Sequence, residues 1–373
     1  MKTIDVGTLQ LTARHRAKVM EALKSNRLSY GPMTEEFENK FAKIHKNKYG
    51  IFTNSGTSAL QATIHAMKIL YGWKDRDEII MPATTFVATY NVILHNNLKP
   101  VLVDVDENFN INTKLIDKKI TKKTRAIMPV HLLGKPADMK QIMAYAKSYG
   151  LKVIEDSCET MFMKGVGTGD VACFSFYIAH LLTTGVGGMA ITNDKELADL
   201  IRSLIFHGRD NKYLQINDDD KPTKEIIESR FKFNHPGYSY RGTEVEAALG
   251  LVELENYKEM IATRQQNAAI LGVFLYKDQM SWFNNYWKNH AFMMFPYFSD
   301  DRDELILYME SKGITTRTLM PLLNQPYIKE DAKKYSVSEL ILKRGLLFGC
   351  HQGLTPQDLN RIVQTIEEFN DRH

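Results

Sequence analysis

The sequence predicts an α/β fold with a mostly parallel central sheet covered by helices on both faces, followed by a smaller α+β unit. Two observations carry this. From about residue 55 to residue 192, short apolar runs alternate with amphipathic helical stretches, and acids and polar residues cluster just after the runs. After about residue 265 the alternation gives way to a mixed pattern. The 373 residues suffice for a large domain, placed at 1–260, and a small C-terminal domain, placed at 261–373.

Each element has a local reason. Glu78-Ile79-Ile80-Met81-Pro82 is a short apolar run closed by a polar turn, which reads as a buried strand. The runs at 100–105, 126–131, 152–156, 172–176 and 188–192 have the same character. Between them, 58–70 and 138–149 place apolar residues at helical spacing. Strands that alternate with helices form parallel sheets, which bind ligands beyond the carboxyl ends of their strands. Residues 209–235 are polar and turn-rich, an expected mobile excursion. A long helix is expected at 243–257 and a strand at 291–297. A final amphipathic helix, 356–371, places Leu359, Ile362, Val363, Ile366 and Phe369 on its apolar face.

Hydrophobic residues at 44% and charged residues at 25% are the balance of a globular protein, and the net charge is only +4. The densest basic cluster, 118–125, reads as a solvated loop or helix end. Nothing in this charge pattern calls for nucleic acid or an anionic membrane. No apolar run approaches the roughly 20 residues that span a bilayer. The first residues carry an acid and lack the apolar core of a signal peptide. Three cysteines, Cys158, Cys173 and Cys350, argue against a disulfide framework and cannot fill a four-thiolate iron–sulfur cluster, so no metal is expected. A reducing cytoplasm fits this cysteine usage.

Several segments have the chemistry of a phosphate-bearing cofactor site. Asn54-Ser55-Gly56-Thr57-Ser58 is a strand-to-helix turn, and its amides and hydroxyls at a helix N-terminus suit a phosphate. The same residues also suit a plain helix cap. Asp156 ends an apolar strand, while alternation sends its neighbour Glu155 to the opposite face. Phe86 is placed to stack on a flat ring or to fill the core. Ser175 stands five residues before His180, which is followed by the loop Thr183-Thr184-Gly185-Val186-Gly187-Gly188. An imidazole with an ordinary pKa of about 6.5 suits proton transfer at neutral pH.

Taken in order along the chain, these segments resemble the DegT/DnrJ/EryC1/StrS family of fold-type I, aspartate aminotransferase-like enzymes. Those enzymes use pyridoxal 5'-phosphate (PLP) on nucleotide sugars. The resemblance runs over nearly the whole length. It rests on the segments beginning Gly31-Pro32-Met33-Thr34, Asn54-Ser55-Gly56-Thr57, Pro129-Val130-His131, Glu155-Asp156, Gly187-Gly188 and Gly237-Tyr238-Ser239-Tyr240-Arg241. The family holds PLP as an imine on a lysine. In Phe174-Ser175-Phe176-Tyr177-Ile178-Ala179-His180 that lysine falls on His180, which cannot form the imine. Histidine there resembles the branch of GDP-4-keto-6-deoxy-D-mannose 3-dehydratases, as do Glu155-Asp156-Ser157-Cys158-Glu159-Thr160 and His207-Gly208.

The resemblance implies a homodimer with shared active sites and a cofactor held without a covalent bond. It implies cofactor contacts from Ser55, Gly56, Thr57, Phe86, Asp156, Glu159, Ser175 and Ser239. It implies substrate contacts from Gly31, His207, Arg241 and Arg317. Asp156 would keep the pyridine nitrogen protonated. Glutamate would convert PLP to pyridoxamine 5'-phosphate (PMP). PMP would then condense with a nucleotide-linked 4-keto-6-deoxysugar, and His180 would remove the proton that lets the C3 hydroxyl leave. An aminotransferase that tolerates histidine and an inactive sugar- or PLP-binding homologue are the rival readings. Two positions depart from the family: Ser239 stands where it has Asn, and Val186 where it has an acid.

Overall fold

The computed structural model describes residues 3–209, 224, 232–320 and 322–372. Most of the expected excursion at 209–235 lies outside the described residues. Ten strands occur among the described residues, in two sheets. The large sheet is built from β1 (Tyr49–Thr53), β2 (Glu78–Pro82), β3 (Lys99–Val103), β4 (Thr124–Ile127), β5 (Lys152–Asp156), β6 (Val171–Ser175) and β7 (Gly188–Thr192). The small sheet is built from β8 (Phe295–Phe298), β9 (Thr316–Thr318) and β10 (Gly345–Phe348).

The large sheet has the order β1-β7-β6-β5-β4-β2-β3. All of its strands run parallel except β7, which is antiparallel to both β1 and β6. Along the strands the side chains alternate between one core on the first face and two on the second, where Ile80, Val103, Ile127 and Val153 form a core of their own. Ile51, Ala126, Ile154, Val171, Cys173 and Ala190 lie on one face, packed with Ala59, Leu60 and Met67 of the helix Gly56–Leu70. Phe52, Ala172, Phe174, Met189 and Ile191 lie on the other, in a core that continues through Phe292, Phe295 and Phe348 to Ile362 and Phe369. The large sheet and the small sheet therefore share one apolar core. Burial on both faces is what makes the strands near-continuous apolar runs.

The expected elements are present with corrected ends. The run at 126–131 is regular strand only to Ile127; Pro129 has no N–H to donate, and pairing resumes as a bridge between Val130 and Asp156. The helix expected at 243–257 is two helices, Glu244–Glu253 and Tyr257–Leu275, separated where Glu255 and Asn256 bond three residues back. The second of these runs unbroken across residue 260. The strand expected at 291–297 begins only at Phe295. Before it, Ala291 and Met293 donate to the Gly134 and Leu133 carbonyls, and Phe292 takes a left-handed φ of 50°. The last helix, Pro356–Asn370, starts on a Thr355–Asp358 capping box and buries all five predicted apolar residues. The basic cluster at 118–125 is exposed at Lys118, Lys119, Lys122 and Lys123.

Candidate active site

The carboxyl ends of β1, β5 and β6 and the start of β7 meet at one edge of the large sheet. Gly188 pairs with Thr53 on one side and Ser175 on the other, and Asp156 pairs with Cys173, two residues before Ser175. Strand alternation thus points Asp156 and Ser175 to the same face.

Beside them the helix Gly56–Leu70 begins. Ser55 caps it, its Oγ accepting from the Ser58 N–H at 3.1 Å. Two close approaches fix this turn. A Cβ on Gly56 would stand 2.7 Å from the Ser175 Cβ and the Cys158 Sγ. A Cβ on Gly188 would overlap the Ser55 carbonyl and stand 2.5 Å from the Gly56 nitrogen. These contacts give the Gly187-Gly188 pair and the Ser55-Gly56 turn a common reason: only bare backbones let the helix start lie on the strand ends.

Asp156 is buried at the end of β5. Its Oδ2 accepts from the Thr89 hydroxyl at 2.7 Å and its Oδ1 from the Cys158 N–H at 3.2 Å. The Thr89 hydrogen is committed to the carboxylate, so Thr85, 2.7 Å away, donates to Thr89. Burial raises the Asp156 pKa, and the bonds from Cys158 and Thr89 oppose the rise. Glu155 points to the other face, where it pairs with His131 at 2.9 Å and accepts from the Gly167 and Gly169 N–H groups. Phe86 caps the helix Val87–His95 one turn before Thr89 and is 58% exposed, so it is not a core residue.

Glu159 is buried and accepts from the Leu133 N–H at 2.8 Å. Burial pushes its carboxyl up to about 8, with Leu133 pulling down and Asp156 adding to the rise.

His180 is half-buried in the return between β6 and β7. Its Nδ1 lies 3.3 Å from the Ser175 carbonyl, which can only accept. Nδ1 therefore carries the hydrogen and Nε2 keeps its lone pair. Tyr177 packs its ring on the imidazole at 5.9 Å. Burial pushes the imidazole down to about 4; the Ser175 bond acts upward and the Arg264 charge downward.

The structure brings a second group together around Arg241. The Arg241 backbone bridges Thr53, Tyr240 accepts from the Asn54 N–H at 2.8 Å, and Arg241 donates to the Ser239 Oγ at 3.0 Å. The His207 N–H donates to the Tyr238 carbonyl at 2.8 Å, which sets the exposed His207 beside Ser239. Gly31 lies near this strip through the Ser29–Thr243 bridge, but its N–H is taken by the buried Glu244 carboxylate at 2.9 Å. Arg317 stands apart on β9, its Nη1 donating to the Thr316 carbonyl at 2.6 Å. Thr85 and Thr89 were not among the predicted site residues. Their signal in the sequence is two hydroxyls four residues apart, one helical turn, on the segment that also carries Phe86.

Comparison with known proteins fits this site. The sequence profile of the DegT/DnrJ/EryC1/StrS aminotransferase family matches residues 10–367. GDP-perosamine synthase of Escherichia coli O157:H7 is 34% identical over 383 aligned residues, covering 99% of each chain. The fold matches Helicobacter pylori PseC, an aminotransferase of pseudoaminic acid biosynthesis, with a TM-score of 0.87 at 22% identity over the whole of both chains. It matches E. coli GDP-4-keto-6-deoxy-D-mannose-3-dehydratase, solved with hydrated PLP, with a TM-score of 0.84 at 25% identity over 98% of this chain and 99% of that one. This chain is a member of the DegT/DnrJ/EryC1/StrS aminotransferase family.

Proposed function

We propose that this chain is a 3-dehydratase of a nucleotide-linked 4-keto-6-deoxysugar that works with PLP and PMP and takes its amino group from glutamate. His180 carries the reading. In the segment where the family places its lysine, this chain has an imidazole whose Nδ1–H is spent on the Ser175 carbonyl, leaving the Nε2 lone pair open to accept a proton.

The residues present fit the cofactor. A buried carboxylate, Asp156, held by Thr89 and Cys158, suits a protonated pyridine nitrogen. The N-terminus of the helix Gly56–Leu70, with Ser55, Thr57 and Ser175, suits a phosphate. The exposed Phe86 ring suits the face of a flat heterocycle. When bound, the cofactor supplies an electron sink. His180 offers no covalent link, so these contacts hold it. The unprotonated Nε2 would take, at neutral pH, the proton whose loss lets the C3 hydroxyl leave. Burial disfavours the imidazolium so formed, which drives the proton onward.

Around the site Phe86, Tyr177, Ile178 and Val186 are exposed apolar side chains. A second copy of the chain would cover them, which supports the homodimer, with Ser239 reaching the neighbouring cofactor. The two separate sheets support a large and a small unit, while the helix Tyr257–Leu275 crosses the expected boundary between 1–260 and 261–373. Three free cysteines suit a reducing compartment, and no helix among the described residues is long and apolar enough to cross a membrane.

The test is incubation with PLP, glutamate and a panel of GDP-, CDP-, UDP- and dTDP-4-keto-6-deoxysugars, with mass analysis. Ammonia and a sugar product lighter by one oxygen are expected. An aminosugar without ammonia release would reject dehydration. It would select net transamination, the second reading, which the 34% identity to GDP-perosamine synthase over 99% of the chain supports.

A further inference from the structure

Arg264 sits in the helix Tyr257–Leu275 and is fully buried. Its Nη1 donates to the Phe292 carbonyl at 3.2 Å and the Met293 carbonyl at 2.9 Å. Its Nη2 donates to the His180 carbonyl at 3.3 Å. All three acceptors are neutral backbone groups, and Nε is buried without a partner. Burial pushes the guanidinium down to about 10, with Cys350 and Glu253 acting upward, so it stays charged at neutral pH. A buried cation without a bonded carboxylate is a poor way to fill a core, since a well-packed apolar residue would avoid the desolvation.

What an apolar residue cannot do is hold carbonyls from two separate segments at once. Phe292 and Met293 lie just before the small sheet, where the left-handed Phe292 turns its carbonyl toward the helix. The third acceptor belongs to the residue that carries the imidazole. Among the described residues, that imidazole meets the Ser175 carbonyl, the Tyr177 ring edge and the Arg264 charge. On the helix side Glu253 faces Arg264. It is paired with His15 at 3.0 Å, and the Thr183 N–H faces its carboxylate. His351 is buried within reach of the same charge and bonds the Asp5 carbonyl at 3.0 Å.

We infer that Arg264 is a positioning residue for His180: its guanidinium holds the His180 carbonyl, fixes the turn that aims the imidazole, and ties that turn to the segment leading into the small sheet. This rests on His180 being the base. Without the guanidinium the His180 carbonyl is freed, so the turn is no longer fixed, and one positive charge is lost from beside the imidazole. Removing a cation makes protonation easier, so the imidazole titrates at higher pH.

The test uses the full chain without cofactor, labelled with ¹³C-histidine and titrated by NMR, with the His180 signal assigned by its absence in His180→Asn. Arg264→Met is expected to move the His180 midpoint up by about one pH unit. In the loaded enzyme it is expected to lower kcat by about 10- to 100-fold with KM for the sugar nearly unchanged. Arg264→Lys keeps the charge but not the two-armed donor. It is expected to restore the midpoint and only part of kcat. An unchanged midpoint and kcat in Arg264→Met would overturn the inference. If Arg264→Met lacks a cooperative melt, Arg264→Lys decides, and wild-type kcat in it overturns the inference. Failure of the base reading is separate: His180→Asn would then turn over normally while the Arg264→Met midpoint still shifted.

Discussion

Thr89→Val is the sharpest probe of the cofactor site, because it removes one hydroxyl and preserves shape. In the folded chain that hydroxyl donates to Asp156 at 2.7 Å inside a buried pocket. A hydrogen bond to a charged group contributes about 1.5–3 kcal/mol. Its loss removes one of the bonds that oppose the burial-driven rise, so the Asp156 pKa moves up further. A protonated Asp156 cannot hold a pyridine nitrogen in its charged form. PLP affinity should therefore fall about 10- to 100-fold, the same free energy expressed as binding. Thr85→Val is the control. It removes only the neutral donor to Thr89, 2.7 Å away, so its effect should stay within about tenfold. The assay is equilibrium titration with PLP followed by absorbance, alongside thermal melts to confirm folding. Wild-type affinity in Thr89→Val, or a larger loss in Thr85→Val, would show that Asp156 is not held ionised in this way.

Three further outcomes are expected. His180→Asn should lower turnover of the sugar by about two to four orders of magnitude while PLP still binds, and normal turnover would remove His180 as the base. Gly188→Ala should displace the Ser55–Gly56 turn, because its Cβ meets backbone that cannot rotate away. Strain of about 1–3 kcal/mol should lower the melting temperature, and the extra stabilisation by PLP should largely vanish; an unaltered PLP-induced shift would contradict the cradle. The stability of the cofactor-free chain should peak near neutral pH. His45, His180 and His351 are pushed down to about 4, so the unfolded chain takes up their protons first as pH falls below 6.5, and stability is lost from there to about 4. Glu159 is raised to about 8 and works in the opposite sense: its stabilisation is full below its unfolded pKa and is lost as pH rises to about 8. Urea melts at pH 5, 6.5 and 8 should show the maximum in the middle, and Glu159→Gln should flatten the alkaline side.

The parallel strands were legible because burial on both faces leaves apolar runs that no other element explains. β1 was not: Tyr49-Gly50-Ile51-Phe52-Thr53 is short, contains a glycine and follows Lys46-Asn47-Lys48 without an apolar lead-in. Its place at the edge of the sheet is fixed by pairing with β7, which the local sequence does not announce. The break at Leu254–Asn256 was hidden because helical periodicity continues through it. In the site, Asp156, Ser55 and Ser175 were legible because each sits at a junction of two elements. Arg264 was not, since an arginine on a helix normally reads as solvated, and only the tertiary fold shows carbonyls from His180, Phe292 and Met293 converging on it. Thr85 and Thr89 were hidden for a related reason: a buried hydroxyl has no signature until its acceptor is known.

The single reversed strand has a consequence for how the chemistry can change. The Ser55 turn opens the helix Gly56–Leu70, and Asp156 is buried at the end of β5, so altering either disturbs packing on the sheet. His180 lies instead on a direct return from β6 to its neighbour β7, a span of chain anchored at both ends by paired strands. Residue 180 is half-buried and projects from that return rather than from a strand. On the proposed function, the base is thus mounted like an interchangeable tip on a fixed handle. His180→Lys is then expected to switch the hold on the cofactor from non-covalent to covalent while the framework around it stays as it is.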